Sequence, residues 1–286
     1  MRNIASWKKI CKGHVVGMVM GLTLMSALQA LATPLSYYVG VDGLATLATG
    51  TYAGKSNPNY GRLTFLFAHP DEATPAHSHY HGIGAWSYTG PADAPVVNPT
   101  NANNRIPETF SGQAPLPLFP GQGAQAGTWG SRAVPGLEYS DLRWGSTHSL
   151  SGAAPGSLED YLFKSSSGRW SGTMKSVDLA LKLVDLTPGL HVADHTGLTV
   201  LSAVGQVYRL GAGDVFSFSP TFITTEATRS RYSASFRLVD LSGTVKDSGT
   251  FHMDFSPVPE PATIWLFVIG LTGLVGLQRR RAATRG

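Results

Sequence analysis

The stretch HSHYH, from His77 to His81, places a histidine at every second position, and a fourth histidine, His69, lies a short way upstream. In an extended chain, residues i, i+2 and i+4 point to one face, so His77, His79 and His81 are expected to share a face with Tyr80 opposite. Neutral imidazole is the commonest metal ligand near neutral pH. We therefore predict a metal site at His77, His79, His81 and His69. The alternative is a solvated loop or a loose metal-buffering strip.

The other ligands that the chain can offer narrow the choice of metal. Cys11 is the only cysteine and falls in the basic N-terminal stretch, so thiolate catalysis and cysteine ligation of zinc are not expected in the rest of the chain. A site rich in nitrogen favours zinc, copper or nickel over calcium or magnesium. Zinc is the expected cofactor, and a zinc ion is the expected partner.

A second hypothesis makes the same histidines the centre of a metal-dependent hydrolase or lyase. Three histidines and one water form a known catalytic zinc arrangement, in which Glu72 or Glu108 would be the candidate base. The zinc-protease pattern H-E-x-x-H and the serine-nucleophile pattern G-x-S-x-G are both absent. The sequence therefore favours a binding role without catalysis, and the enzyme remains the alternative.

The remaining histidines give weaker signals. His191 and His195 stand four apart beside Asp194, but nearby glycines and β-branched residues argue against a helix there. They could supply distant ligands, with Asp194 orienting an imidazole. His148 and His252 are interpreted as a loop residue and a strand residue.

The N-terminus predicts a secretory signal over residues 1–32. Four basic residues precede an apolar run that ends in Ala30-Leu31-Ala32, a pattern typical of a signal-peptidase site. A retained transmembrane anchor is the alternative, but the A-x-A ending and the polar chain after it favour cleavage. We therefore expect signal peptidase to act on this chain after Ala32.

The C-terminal region, 257–286, has three parts in a fixed order: Pro259-Glu260-Pro261, an apolar segment over residues 262–277 and a cluster of arginines. The apolar segment is slightly short for a transmembrane helix, and the positive-inside rule would keep the arginines in the cytoplasm. This tail resembles the PEP-CTERM sorting signal of Gram-negative bacteria. The resemblance implies processing by an exosortase and delivery to the cell envelope or extracellular surface.

The charge balance argues against a nucleic-acid partner. The whole chain has 22 basic and 18 acidic residues, but four basic residues lie within 1–32 and four more within 279–286. The part between them has 14 basic and 18 acidic groups, a formal charge of −4. A nucleic-acid footprint needs a clustered basic face, which this composition does not supply.

The region 33–256 is long enough for one domain with a sizeable core. Short apolar or alternating runs between turn residues predict an all-β fold, an antiparallel β-sandwich of jelly-roll-like or immunoglobulin-like topology. The runs RYSASFRLVDL and SGTFHMDF are expected to pair as antiparallel strands. Residues 91–156 are rich in Pro, Asn, Gly and Gln and are expected to form a long irregular insertion. A short helix is predicted at GSLEDYLF, with Ser157 as its N-cap.

A second resemblance covers most of the same region. The stretches YYVGVDG, GRLTFLFAHPDE, HYHGIGAWSYTGP, SASFRLVDLSG and SGTFHMDF are similar to a family of Zur-repressed PEP-CTERM proteins. A gene repressed by the zinc-uptake regulator is expressed when zinc is scarce. The resemblance therefore implies a zinc-binding or zinc-sparing role at the cell envelope, with HYHG as the candidate metal contact. A biofilm or matrix surface protein is a further alternative, because a fold alone carries no function.

Overall fold

The computed structural model describes residues 34–258. The predicted signal peptide, 1–32, and the predicted transmembrane segment, 262–277, lie outside the described residues. No helix within 34–258 is both long and apolar enough to cross a bilayer.

Short strands make up most of the regular secondary structure of the described chain, and one α-helix, α1, spans Leu158–Gly168. The strands are β1 (Tyr37–Val41), β2 (Leu63–His69), β3 (His79–Gly82), β4 (Ser87–Thr89), β5 (Val96–Asn98), β6 (Arg105–Ile106), β7 (Leu116–Pro120), β8 (Trp129–Ser131), β9 (Trp144–Ser146), β10 (Asp178–Leu186), β11 (Leu190–Ala193), β12 (Thr199–Leu201), β13 (Val207–Ala212), β14 (Ser217–Phe218), β15 (Thr221–Thr224), β16 (Tyr232–Asp240) and β17 (Phe251–Pro257). Short 3₁₀ helices span Pro75–His77, Thr109–Ser111, Gly123–Gln125 and Thr147–Leu150.

The strands form two large sheets and one small one. The smaller of the two large sheets has the order β14-β9-β1-β2-β3, and the larger has the order β12-β11-β15-β8-β7-β17-β16-β10-β13 with β6 beside β17. β4 and β5 pair only with each other. Most neighbours are antiparallel, but β1–β9, β17–β6 and β17–β7 are parallel pairs. The prediction of an all-β fold is confirmed, and so is the predicted antiparallel pairing of β16 with β17.

The two large sheets share one aromatic core. Phe65 of β2 stacks on Phe251 of β17, with ring centroids 4.3 Å apart, and Trp144 of β9 lies 4.6 Å from Phe65. All three side chains are fully buried. Aromatic pairs at these distances add favourable interaction to the burial of their area. Contact between residues of different sheets is what a sandwich requires.

The other face of the five-stranded sheet is also buried, which explains why β1 and β2 contain continuous apolar runs instead of alternating ones. Tyr38 and Leu66 point to this face and pack with Tyr80 of β3. Leu162 of α1 and Trp170, just after the helix, complete this second cluster. The helix therefore covers the face of the sheet that points away from the main core.

The predicted short helix is present where the sequence places it. The Ser157 side chain accepts a hydrogen bond from the backbone N–H of Asp160 at 3.2 Å, which is the expected N-cap contact. Glu159 and Asp160 lie in the first turn, where carboxylates interact favourably with the helix dipole.

The segment 91–156, predicted as a long irregular insertion, contributes more regular pairing than its composition suggested. It holds β5 to β9, and four of these strands join the two large sheets. Trp144 of β9 is fully buried beside β1. Two aromatic side chains of the segment differ in their environment, because Trp129 contacts the core, whereas Phe110 is 63% exposed.

Candidate metal centre

The candidate site lies on the antiparallel pair formed by β2 and the edge strand β3. The register places His69 opposite His79 and Phe67 opposite His81. All four side chains therefore point to the same face of the sheet, the face of the main core. Their rings converge: His69 lies 4.1 Å from His81 and 5.3 Å from His79, measured between ring centroids.

Tyr80 fixes which face the histidines occupy. It lies between His79 and His81 on β3, and its side chain is buried on the opposite face against Tyr38 and Trp170. Because side chains alternate along a strand, burial of this ring turns both histidines toward His69.

The prediction that His77 shares this face is wrong. His77 ends the 3₁₀ helix Pro75–His77, and its side chain is 73% exposed and faces Asp71 at 3.5 Å. Pro75 fixes the backbone at the start of this turn, and the Asp71 carboxylate accepts a hydrogen bond from the backbone N–H of Thr74. The chain is therefore not extended at His77. The backbone carbonyl of His77 still helps to orient the His79 ring, because its oxygen lies 2.8 Å from Nδ1 of His79.

A carboxylate from a distant part of the chain completes the arrangement. Glu108 is only 2% exposed, and its two oxygens contact different histidines. Oε1 lies 2.8 Å from Nδ1 of His81, and Oε2 lies 3.1 Å from Nε2 of His69. Tyr139 donates its hydroxyl to Oε2 at 3.1 Å. We refer to His69, His79, His81 and Glu108 as the ligand cluster.

The environment keeps Glu108 ionised. Burial by itself would raise the pKa of Glu108, but hydrogen bonds from His69 and His81 outweigh it and hold the pKa below its ordinary value. Burial also raises the pKa of Tyr139 well above its ordinary value, and the nearby Glu108 charge adds to the effect. Tyr139 therefore stays a neutral donor while Glu108 stays a charged acceptor.

A second acidic residue stands at the outer side of the cluster. Glu138 lies 3.6 Å from Nδ1 of His69 and accepts a hydrogen bond from Gln113 at 2.6 Å. The next residue, Tyr139, has a positive φ of 65°, which is uncommon for a residue that is not glycine. Its carbonyl accepts the hydroxyl of the buried Tyr37 at 2.8 Å. This turn thus brings Glu138 and the Tyr139 hydroxyl to the ligand cluster together.

The hydrogen bonds of the two β3 histidines define where their lone pairs point. Nδ1 of His79 faces a carbonyl and Nδ1 of His81 faces a carboxylate, and both of these groups only accept hydrogen bonds. Each Nδ1 must therefore carry the proton, which leaves Nε2 as the lone pair of each neutral ring. These two Nε2 atoms face each other at 3.1 Å. Two facing lone pairs repel unless a proton or a cation lies between them.

The spacing of the donors fits a metal ion. Two nitrogens bound tetrahedrally at roughly 2.0–2.1 Å would be about 3.3 Å apart, close to the separation of the two Nε2 atoms. One donor atom each from His69, His81 and Glu108 also lies within 4.8 Å of the others. The tight set is thus two imidazoles and a carboxylate, with His79 adding a third imidazole from the exposed side. Nitrogen and carboxylate donors together suit zinc and other late transition metals.

The other residues weighed from the sequence lie elsewhere. Glu72 is exposed in the turn between β2 and β3. His195 and Asp194 line a different cavity of about 460 Å³, beside Arg132 and Thr221. His252 lies on β17, where its Nδ1 contacts the Ser235 hydroxyl at 2.7 Å. None of these residues belongs to the ligand cluster, whose members His69, His81 and Glu108 form the one group of at least three potential ligand side chains found among the described residues.

Sequence reasoning named Glu108 only as a possible base and missed Glu138 and Tyr139 altogether. The pair Glu138-Tyr139 follows Gly136 in a turn-rich segment and carries no periodic signal. Their role depends on pairing between segments about thirty or more residues apart, which no local pattern encodes.

Comparison with known proteins gives one match. Residues 257–282 match the PEP-CTERM protein-sorting motif. No curated protein and no solved structure matches the chain. The motif identifies an exported protein that an exosortase sorts to the cell envelope or surface. It covers only the C-terminal end, so the role of the β-sheet domain has to be argued from its own residues.

Proposed function

We propose that this exported protein binds zinc at the ligand cluster, without catalysing a reaction, in the envelope or on the surface of a Gram-negative bacterium that produces it when zinc is scarce. The observation that carries the proposal is the convergence of His69, His81 and Glu108, with His79 facing His81 through Nε2. The resemblance to Zur-repressed PEP-CTERM proteins supports the link to zinc limitation.

The surroundings of the cluster are those of a ligand site. Histidine ligands are commonly oriented by a carboxylate or a backbone carbonyl on their second ring nitrogen. His79 has the carbonyl of His77 in this position, and His81 has Glu108. Both rings are therefore held with Nε2 free for an ion, whereas His69 and Glu108 would join it by giving up the hydrogen bond between Nε2 and Oε2.

The contacts of Glu108 favour binding over catalysis. A general base needs a free lone pair within reach of a water or substrate. Three hydrogen bonds already occupy most of the acceptor positions of the Glu108 carboxylate, and the residue is buried, so a substrate would find it less accessible than an exposed carboxylate. Glu138 is 43% exposed, so it is the better candidate base if the enzyme alternative holds. Turnover of a simple ester by the zinc-loaded chain, lost in Glu138→Gln, would favour that alternative.

Zinc titration of the full chain in mild detergent, purified without a histidine tag, tests the proposal. The parent should bind about one zinc ion, as expected for a single tetrahedral site. His81→Ala should weaken binding by more than the roughly 10–100-fold that loss of an outer-shell partner causes. Affinity should also fall in acid, because zinc binds deprotonated imidazole nitrogens and protons compete for them.

His148→Ala is the matched control. His148 is a partly buried histidine near a carboxylate, Asp214 at 3.8 Å, but lies outside the ligand cluster. Its replacement should leave zinc affinity unchanged. Equal zinc affinity in the parent, His81→Ala and His148→Ala would refute the proposed function.

A further inference from the structure

A cavity of about 310 Å³ lies beside β17, and we refer to it as the arginine cavity. Arg105 of β6 and Arg231, just before β16, line it together with Asp254 of β17. Asp254 alternates with the core residues Met253 and Phe255 along its strand, so its carboxylate lies on the outer face of the larger sheet. The volume of the cavity is at the lower end of the range of small-molecule sites.

Two arginines share the one carboxylate of Asp254. Nη1 of Arg105 and Nη2 of Arg231 both donate to Oδ2 at 2.5 Å, so these two nitrogens lie within about 5 Å of each other. Oδ1 accepts no hydrogen bond among the described residues. The three side chains together carry one excess positive charge, and two positive charges this close repel each other. A second anion in the cavity would relieve this repulsion.

Two other arginines of the chain show how a one-to-one ion pair is arranged. Arg143 contacts both carboxylate oxygens of Asp141, and Arg169 contacts both oxygens of Asp42. Each of these pairs has one guanidinium for one carboxylate, so its charges cancel. The two-to-one arrangement around Asp254 is different, because it leaves one guanidinium without a carboxylate of its own.

The unused donors of the two arginines are accessible. Arg105 and Arg231 each donate only the one hydrogen bond to Asp254 among the described residues, although a guanidinium has five N–H groups. Their side chains are 34% and 51% exposed, whereas that of Asp254 is 2% exposed. Glu108 also lines the cavity, but it is equally buried, and its oxygens already accept hydrogen bonds at the ligand cluster. A molecule in the cavity therefore contacts the guanidiniums and has little access to the carboxylates.

The geometry of these donors defines the ligand. A guanidinium presents its N–H groups in a planar fork that matches the oxygens of carboxylate and phosphate groups. A carboxylate has two oxygens, enough for one fork, whereas a phosphate group has oxygens for two. We propose that the arginine cavity binds one phosphate group between Arg105 and Arg231. This inference goes beyond the proposed function and does not require zinc.

Calorimetric titration of the metal-free full chain in mild detergent with inorganic phosphate tests the inference, and acetate at the same ionic strength serves as the comparison ligand. Metal is removed beforehand because zinc would itself bind phosphate. The parent should bind phosphate more tightly than acetate. Arg105→Gln and Arg231→Gln each remove one guanidinium, and each should weaken phosphate binding by roughly 10–100-fold, the effect of losing a hydrogen bond to a charged group.

A free phosphate ion and a phosphate monoester share this chemistry, and glycerol 3-phosphate distinguishes them. Tighter binding of the ester than of inorganic phosphate would assign the cavity to a phosphate group carried by a larger molecule. Equal or weaker binding of the ester would assign the cavity to the free ion.

Arg143→Gln is the matched control, because Arg143 is 49% exposed, close to the 51% of Arg231, and does not line the arginine cavity. Thermal unfolding checks that each variant is folded. The inference is overturned if the metal-free parent binds no phosphate or binds acetate equally tightly. It is also overturned if Arg105→Gln and Arg231→Gln bind phosphate as tightly as Arg143→Gln. Because zinc is absent from the titration, this inference and the proposed function can fail separately.

Discussion

Replacement of Glu108 by glutamine should destabilise the protein even without metal. The pKa of Glu108 lies below its ordinary value, so the fold favours the charged carboxylate despite its burial. Both oxygens accept hydrogen bonds, from His69, His81 and Tyr139. Glutamine keeps one acceptor oxygen but turns an N–H₂ group toward one of these donors.

The size of the effect follows from the hydrogen bonds that glutamine cannot accept. At least one hydrogen bond to a charged acceptor disappears, which corresponds to about 1.5–3 kcal/mol. For a chain of this size, the melting temperature should then fall by roughly 3–12 °C. Thermal unfolding followed by circular dichroism, with a chelator present, measures this shift.

Glu138→Gln provides the control for the same experiment. Glu138 is 43% exposed and lies near His69, so its change should stay within about 0.5 kcal/mol. Addition of zinc should then raise the melting temperature of the parent and of Glu138→Gln far more than that of Glu108→Gln, because ligand binding stabilises the native state by mass action. Equal stability of the two variants without metal would refute our account of Glu108.

Three further predictions concern the pH dependence of stability, the role of the His77 side chain, and export. Burial, and then the charge of Arg105, lower the pKa of His252, so this histidine binds a proton more readily in the unfolded chain than in the folded one. The free energy of unfolding should therefore decline as the pH falls below about 6.5, the ordinary histidine value. The decline should be smaller in His252→Gln. His77→Ala should leave zinc affinity unchanged, unlike His81→Ala, because only the backbone of His77 contacts the cluster. Intact-mass analysis of protein from a native host should show loss of residues 1–32 and of most of the chain after Pro259.

Each of these outcomes has its own check. Urea unfolding between pH 5 and 8 compares His252→Gln with the exposed His195→Gln, and identical pH dependence in the two would contradict the first prediction. A large loss of zinc affinity in His77→Ala would show that its side chain moves onto the cluster. Recovery of the full-length chain from the cytoplasm would contradict the third.

The all-β class could be predicted because the strand signal is local. β16 and β17 alternate apolar and polar residues between turns, and both the strands and their pairing are confirmed. The helix at 158–168 could be predicted for the same reason, because Ser157 and two acidic residues mark its start.

The features of the fold and the site that the sequence did not predict depend on contacts between segments far apart in the chain. β9 is only three residues long, and Trp144 is recognisable as a core residue only through its parallel pairing with β1. Glu108 reaches His69 across 39 positions of sequence. The spacing of the histidines predicted that His69, His79 and His81 lie close together, and the structure places their rings within about 5 Å of His69. The same spacing wrongly placed His77 on their face of the sheet, because the chain forms a 3₁₀ helix over Pro75–His77.

Because Tyr80 alternates with His79 and His81, the site depends on which face of β3 each side chain occupies. The number of residues between the two strands matters less. The pairing of β3 with β2 puts the tyrosine on the helix side and the histidines on the core side. A slip of one residue in this register would exchange the two faces, sending imidazoles against α1 and a phenol into the place of the donors. The loop between the strands can therefore vary in length, provided that the parity of the pairing is kept.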